Sequence, residues 1–267
     1  MENKVTLLIL SCDKFSDLWD GHIKLLEENW SDRSIDTVIV TDKPTEKQYK
    51  NIRIMSAGSE GEWSDRLAYA INNINTDYIF ITLDDYFLIK RVNNDSIKSL
   101  IKMMDKEKID YVRLFPRPKK ATKEKLTGYS KIYKIDTTCD YSVNLYAGIW
   151  NRKFLQSTVK KPKNAWQFEV LLHKRAMEYG ANCAVSLRNE FEILDVVRKG
   201  KLLHKSAAYF KNHPGIYSGN REVNTWSYEI KLEIQTLASR HLPNRLRTMV
   251  KSFMRRKGRN FFSDEIE

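Results

Sequence analysis

Two adjacent carboxylates, Asp84 and Asp85, follow directly on the most apolar strand-like run of the chain, Tyr78 to Leu83. An interior strand has no reason of its own to end in two acids, because each costs several kcal/mol if buried without a partner. Ile79, Phe80, Ile81 and Leu83 read as the buried centre of a sheet. The carboxyl end of such a strand is where an open α/β sheet presents its ligand-binding groups. Hard oxygen donors at that place are explained by a divalent cation, Mg2+ or Mn2+. The competing explanation is an Asp-Asp turn that only caps the next helix.

The elements that must position these acids alternate. Val5–Leu10 reads as a first strand, ending in Ser11, Cys12 and Asp13. Leu18, His22, Leu25 and Leu26 recur at helical spacing over 17–29, with Ser16 as N-cap. Strands are expected at 36–40, 51–55 and 78–83, with a helix over 63–74. Strand–helix alternation with short connections implies parallel pairing and right-handed crossovers. Further on, a helix is expected at 95–106 and strands at 110–115, 129–137 and 142–150. Helices follow at 154–159 and 166–179, the second closed by Gly180, and late strands at 181–187 and 192–198. The segment 116–128, with Pro116, Pro118 and Lys119, Lys120, Lys123 and Lys125, reads as a mobile basic loop.

At 267 residues the chain has room for one large domain, or one domain with an appendage. Its 42% hydrophobic content indicates a folded globular protein. The net charge of +12 favours anionic partners: nucleic acid, lipid headgroups or phosphorylated substrates. Three cysteines without metal-site spacing argue against a disulfide framework and fit a reducing compartment. The N-terminal apolar stretch is too short for a signal peptide, and no run approaches the ~18 apolar residues of a membrane span. A cytoplasmic location is expected.

The phrases Leu7 to Asp13, Trp63 to Leu67, Leu83 to Leu88 and Trp166 to Glu169 resemble GT-A glycosyltransferases, in particular small bacterial enzymes of capsule, O-antigen or exopolysaccharide assembly. The resemblance spans residues 4–210. It implies a Rossmann-like α/β fold: a mixed, mainly parallel central sheet flanked by helices. It also implies a transferase domain over 1–236, with a nucleotide-binding half (1–90) and an acceptor half (91–236). The family's usual metal motif is Asp-x-Asp; here Asp84 and Asp85 are adjacent and Tyr86 takes the third place, which leaves open which acid touches the metal.

The resemblance further implies a nucleoside-diphosphate sugar, UDP-sugar in the first place, as donor and a saccharide or lipid-linked oligosaccharide as acceptor. Asp84 and Asp85 would hold Mn2+ or Mg2+, with His204 as third ligand; a lone histidine is otherwise an ordinary surface or core residue. Ser11 or Asp13 would bond the base or ribose, unless Asp13 only caps the following helix. Arg66, at a helix N-terminus, suits a nucleotide anion; Asp65 beside it contacts the nucleotide or serves as a first-turn acid. Lys205, with Lys201 and Lys211, can neutralise diphosphate. Glu169 is the candidate general base for inverting transfer, in an aromatic setting with Trp166 and Phe168 that favours a raised pKa; the alternative is a solvated helix glutamate. Trp166 can stack on a sugar. His22 and His173 carry no signal.

Over 240–259, Leu242, Leu246, Met249, Val250 and Phe253 recur at helical spacing opposite Arg245, Arg247, Lys251, Arg255 and Arg256. This C-terminal tail, 237–267, reads as a basic amphipathic helix lying on the inner face of the plasma membrane, or as a helix packed on the domain. A nucleotidyltransferase would want a glycine-bearing phosphate loop after the first strand, and residues 11–15 hold no glycine. Nucleic-acid binding finds no zinc spacing, recognition helix or aromatic RNA-binding motif.

Overall fold

The computed structural model describes residues 4–160 and 162–241. The chain divides into two compact units with the boundary between Leu194 and Asp195.

In the first unit the apolar runs become strands buried on both faces. Val5–Leu10 (β1) is buried at every position, and Asp36–Thr41 (β2) at all but Asp36. Ile52–Ser56 (β3), Tyr78–Leu83 (β4), Tyr86–Leu88 (β5) and Tyr111–Arg113 (β6) follow, then Thr122–Lys125 (β7), Ile132–Ile135 (β8), Gly148–Asn151 (β9) and Cys183–Ser186 (β10). Nine of these form one sheet in the order β3-β2-β1-β4-β9-β6-β10-β8-β7, while β5 pairs with Ile193–Asp195 (β11). The β1–β2, β1–β4, β2–β3 and β6–β10 pairings are parallel. Only β8 and β9 run against the rest. The sheet is therefore mixed and mainly parallel, as expected.

Alternation along β1 and β4 builds the core on both sides of this sheet. Leu7, Ile9 and Phe80 meet Trp19–Asn29 (α1) and Asn94–Glu107 (α3) through Trp19, Leu26, Leu100 and Met104. Leu8, Leu10, Ile79 and Ile81 belong to the opposite layer. There they join Leu67 and Ile71 of Trp63–Asn72 (α2), Phe154 of Arg152–Thr158 (α4) and Phe168 and Leu172 of Ala165–Tyr179 (α5). Each such side chain contributes about 1.5–3 kcal/mol by leaving water. Gly180 takes φ +71° at the end of α5, where a side chain would be strained.

Several segments differ from expectation. Ser16 caps no helix: Asp13–Leu18 is a 3-10 turn running straight into α1. Residues 116–128 are not a structureless loop, since Lys119–Ala121 is a 3-10 turn and β7 pairs with β8. Its lysines suit an edge strand, where charge blocks further pairing. Of the run 142–150 only 148–150 lies in a strand, β9; Ser142, Val143, Asn144 and Leu145 are buried in an irregular strap instead. β6 and β7 run the same way with β10 and β8 between them, so the chain crosses over from β6 to β7 without an α-helix and then returns antiparallel as β8.

The second unit opens with the short antiparallel pair Val197–Arg198 (β12) and Lys201–Leu202 (β13), followed by His204–Asn212 (α6) and Trp226–His241 (α7). Nearly all of the expected basic helix at 240–259 lies outside the described residues, as does most of the 237–267 tail.

β9 approaches β6 closely at Gly148: an added Cβ would meet Tyr111 Cε2 at 2.8 Å and the Val112 carbonyl oxygen at 3.0 Å. Gly148→Ala is expected to cost about 1–3 kcal/mol of stability in urea unfolding, because backbone must shift to admit the methyl. An unchanged midpoint would contradict the packing of β9.

Candidate functional site

The parallel register brings three strand ends to one edge. Leu10 pairs with Val40 on one side and Leu83 on the other. The Ser11 N–H then donates to Val40 O at 2.9 Å and the Asp84 N–H to Leu10 O at 3.3 Å. Ser11, Asp42 and Asp84 thus follow adjacent strands at their carboxyl ends.

Asp84 turns inward, 8% exposed, and accepts a short hydrogen bond from the Ser11 hydroxyl. That hydroxyl accepts from Trp19 Nε1 at 2.7 Å. Ser11, 6% exposed, therefore orients the carboxylate rather than facing a ligand. His22 Nδ1 lies 3.1 Å from Asp84 O. A carbonyl only accepts, so Nδ1 carries the proton. Trp19 and His22, three residues apart on α1, share the face beneath Asp84. That spacing is the only signal of this role for His22 in the sequence. Asp85, one residue on, is the more exposed acid of the pair.

Asp13 begins the 3-10 turn. Its N–H donates to Asp42 Oδ1 at 2.6 Å, and its carboxylate lies 3.3 Å from Lys43 Nζ in an exposed pair of little energetic weight. Burial acts to raise the Asp42 carboxyl; the Asp13 N–H, the Thr41 hydroxyl and the Arg66 charge outweigh it and hold the group below its usual value. Burial and then the Asp84 charge raise the Cys12 thiol, with Arg66 opposing them. Arg66 accordingly shares one electrostatic neighbourhood with Cys12, Asp42 and Asp84. Asp65 closes a capping box, its Oδ2 accepting from the Glu62 N–H at 2.8 Å, so it serves α2.

Glu169 is on the same edge by way of the strap before β9: its Oε1 accepts from the Leu145 N–H at 3.1 Å. Trp166, Glu169 and His173 lie along one stripe of α5. Trp166 is 59% exposed. His173 Nε2 stands 3.7 Å from Asp140.

His204 and Lys205 belong to the second unit, at the start of α6. Glu229 Oε1 accepts from the His204 N–H at 2.9 Å and lies 2.8 Å from its Nδ1, while the imidazole stacks on Trp226 at 3.6 Å. Lys205 is exposed. Among the described residues no three His, Cys, Asp or Glu side chains are grouped to hold a metal ion. What the first unit offers is the adjacent pair Asp84 and Asp85. That suits Mg2+ or Mn2+, which keep waters and bind through one or two carboxylates plus substrate phosphates.

No family model matches the sequence, and no curated protein matches it. Solved structures align with it at low identity and with TM-scores below 0.5. S. aureus TarS 1-349 in complex with UDP-GlcNAc is 11% identical with a TM-score of 0.48, over 74% of this chain and 60% of that one. The mannosyltransferase PcManGT from Pyrobaculum calidifontis, in complex with GDP-Man and Mn2+, is 12% identical with a TM-score of 0.49, over 75% and 59%. A CMP:2-keto-3-deoxy-manno-octonic acid synthetase complexed with CTP is 14% identical with a TM-score of 0.43, over 78% and 96%. The chain thus spans about three fifths of the length of TarS 1-349 and of PcManGT.

His22, 2% exposed, is pushed by burial down to about 4, against the Asp84 carbonyl, which favours the protonated ring. A folded value below the unfolded one of 6.5 means stability is fully present above pH 6.5 and falls as pH drops towards 4. The loss across that window is of order 3 kcal/mol. Denaturant unfolding at stepped pH should show this slope in the wild type and a flatter one in His22→Gln; equal slopes would contradict it.

Proposed function

We propose that the chain is a glycosyltransferase that moves a sugar from a nucleoside-diphosphate sugar, a UDP-sugar first, to a saccharide or lipid-linked oligosaccharide acceptor in bacterial surface polysaccharide synthesis. The observation that carries this reading is the edge itself: Asp84 and Asp85 closing β4, beside Asp13, Asp42 and Arg66 at the ends of β1, β2 and the start of α2. Carboxylates concentrated at the carboxyl ends of parallel strands suit a phosphate ligand only when a cation joins them.

Asp84 and Asp85 would hold Mn2+ or Mg2+, whose charge supplies Lewis-acid stabilisation of the departing diphosphate. Asp85 faces the ligand, and Asp84 is set by Ser11. Asp13 and Arg66 border the nucleotide. Glu169, oriented by the Leu145 N–H, accepts the proton of the acceptor hydroxyl as the new bond forms, which gives inversion. His204 as third metal ligand and Lys205 as a diphosphate group belong to this proposal as the resemblance implies them. So do the transferase domain over 1–236 and the contact of 237–267 with an anionic inner leaflet. No described helix is long and apolar enough to cross a membrane. The nucleotidyltransferase alternative finds no phosphate loop: residues 13–18 form a 3-10 turn tied to Asp42.

Hydrolysis of UDP-, GDP- and dTDP-sugars with Mn2+ tests the reading. One donor is expected to be cleaved, with Asp85→Asn lowering turnover about 10²–10³-fold at an unchanged melting temperature. With the acceptor identified, Glu169→Gln should lower transfer about 10²–10⁴-fold. No cleavage of any donor, or full activity in Asp85→Asn, would refute it.

A further inference from the structure

The geometry points to a saccharide-binding platform made by the Phe115 ring, backed by Tyr146, on the β9–β6 side of this edge. It rests on the transferase reading only in taking that saccharide to be the acceptor. The strands β4, β9 and β6 are consecutive in the sheet, with Gly148 paired to Ile81 and to Arg113. The segments leaving that row at the shared edge are therefore neighbours: Asp84 to Tyr86 after β4, Leu145 to Ala147 before β9, Leu114 and Phe115 after β6.

Each of these segments contributes one ring to a near-parallel tier. Tyr86 and Tyr146 lie 5.6 Å apart at 6°, and Phe115 and Tyr146 4.1 Å apart at 15°. Tyr86 is buried, whereas Tyr146 and Phe115 are half-buried. The tier joins the two proposed catalytic acids through the main chain: Tyr86 follows Asp85, and Tyr146 follows Leu145, whose N–H holds Glu169.

The supports of the tier are costly ones. Arg113 has 0% exposure, and its guanidinium donates to Phe115 O at 2.8 Å, Ser142 O at 2.7 Å and Pro118 O at 3.3 Å. Tyr111 donates to Asn144 O at 3.1 Å. A buried cation spent on three carbonyls locks the backbone on both sides of the rings. A cluster that merely filled the core would not require it, whereas a preorganised binding face does.

The chemistry selects the ligand. An aromatic face carries negative potential, repels phosphate and packs against C–H groups. A pyranose offers such an apolar face and a rim of hydroxyls for flanking carboxylates. A nucleobase also stacks, but Asp13, Asp42 and Arg66 lie on the other side of β4, towards β1 and β2. The edge thus divides into a charged donor side and an aromatic acceptor side, with Asp85 between them.

Saturation-transfer NMR on the full chain tests this with methyl glucoside, methyl galactoside, the open-chain control sorbitol, and UMP. Ring C–H protons of a glycoside should receive saturation, with none reaching sorbitol. Phe115→Leu should weaken glycoside binding about tenfold, the scale of one lost stacking contact. Phe115→Trp should retain or strengthen it, which keeps the test decisive if the leucine variant folds poorly. Equal signals in folded Phe115→Leu, weaker binding in Phe115→Trp, or displacement of the glycoside by UMP would overturn the platform. Thermal stabilisation of the wild type by UDP with Mn2+ is read separately. Phe115-dependent glycoside binding without a UDP response would sink the transferase reading and keep the platform; a UDP response with Phe115-independent binding would do the reverse.

Discussion

The hydrogen bond from the Ser11 hydroxyl to the buried carboxylate of Asp84 is the constraint on which the edge depends. A carboxylate at 8% exposure is unfavourable unless its oxygens are satisfied. Ser11 meets that need, and Trp19 in turn holds Ser11. The result ties the end of β1 to the end of β4 and to α1 beneath them. It also differentiates two acids that look equivalent in sequence. Asp84 becomes internal and directional; Asp85, one residue on, is the more exposed of the two.

The rest of the site is arranged by strand order. β1 and β2 bring Asp13 and Asp42 to the same edge, and α2 adds Arg66. Reversed β9, inserted between β4 and β6, delivers its leading strap to that edge, and the strap carries both the Leu145 N–H and the Tyr146 ring. A wholly parallel sheet would have placed this segment at the opposite edge. Gly148 makes the insertion possible by letting β9 close on Tyr111.

The first ninety residues were largely legible because each strand there is a continuous apolar run with a clear end, as in Val5–Leu10 and Tyr78–Leu83. The pair Asp84–Asp85 stood out for the same reason. The strap at 142–147 has the sequence pattern of a strand, because Val143, Leu145 and Ala147 alternate like one; what sets them is burial around Arg113 and Tyr111, which are distant in sequence. β7 hid behind lysines that suit an edge strand as well as a loop. His22 and Trp19 could not be connected to Asp84 without the fold, since hydrogen bonds across 62 to 73 positions leave no periodic trace. Asp65 shows the converse: its capping role follows from Glu62 three residues earlier, a local pattern that competes with any functional reading.

Anomalous diffraction at the manganese edge, from crystals soaked with UDP and Mn2+, addresses the central claim most directly. The account predicts one ion within coordination distance of an Asp85 oxygen and of the diphosphate, with Ser11 still bonded to Asp84. Diphosphate bound away from Asp85, or bound there with no ion beside it, would contradict the account.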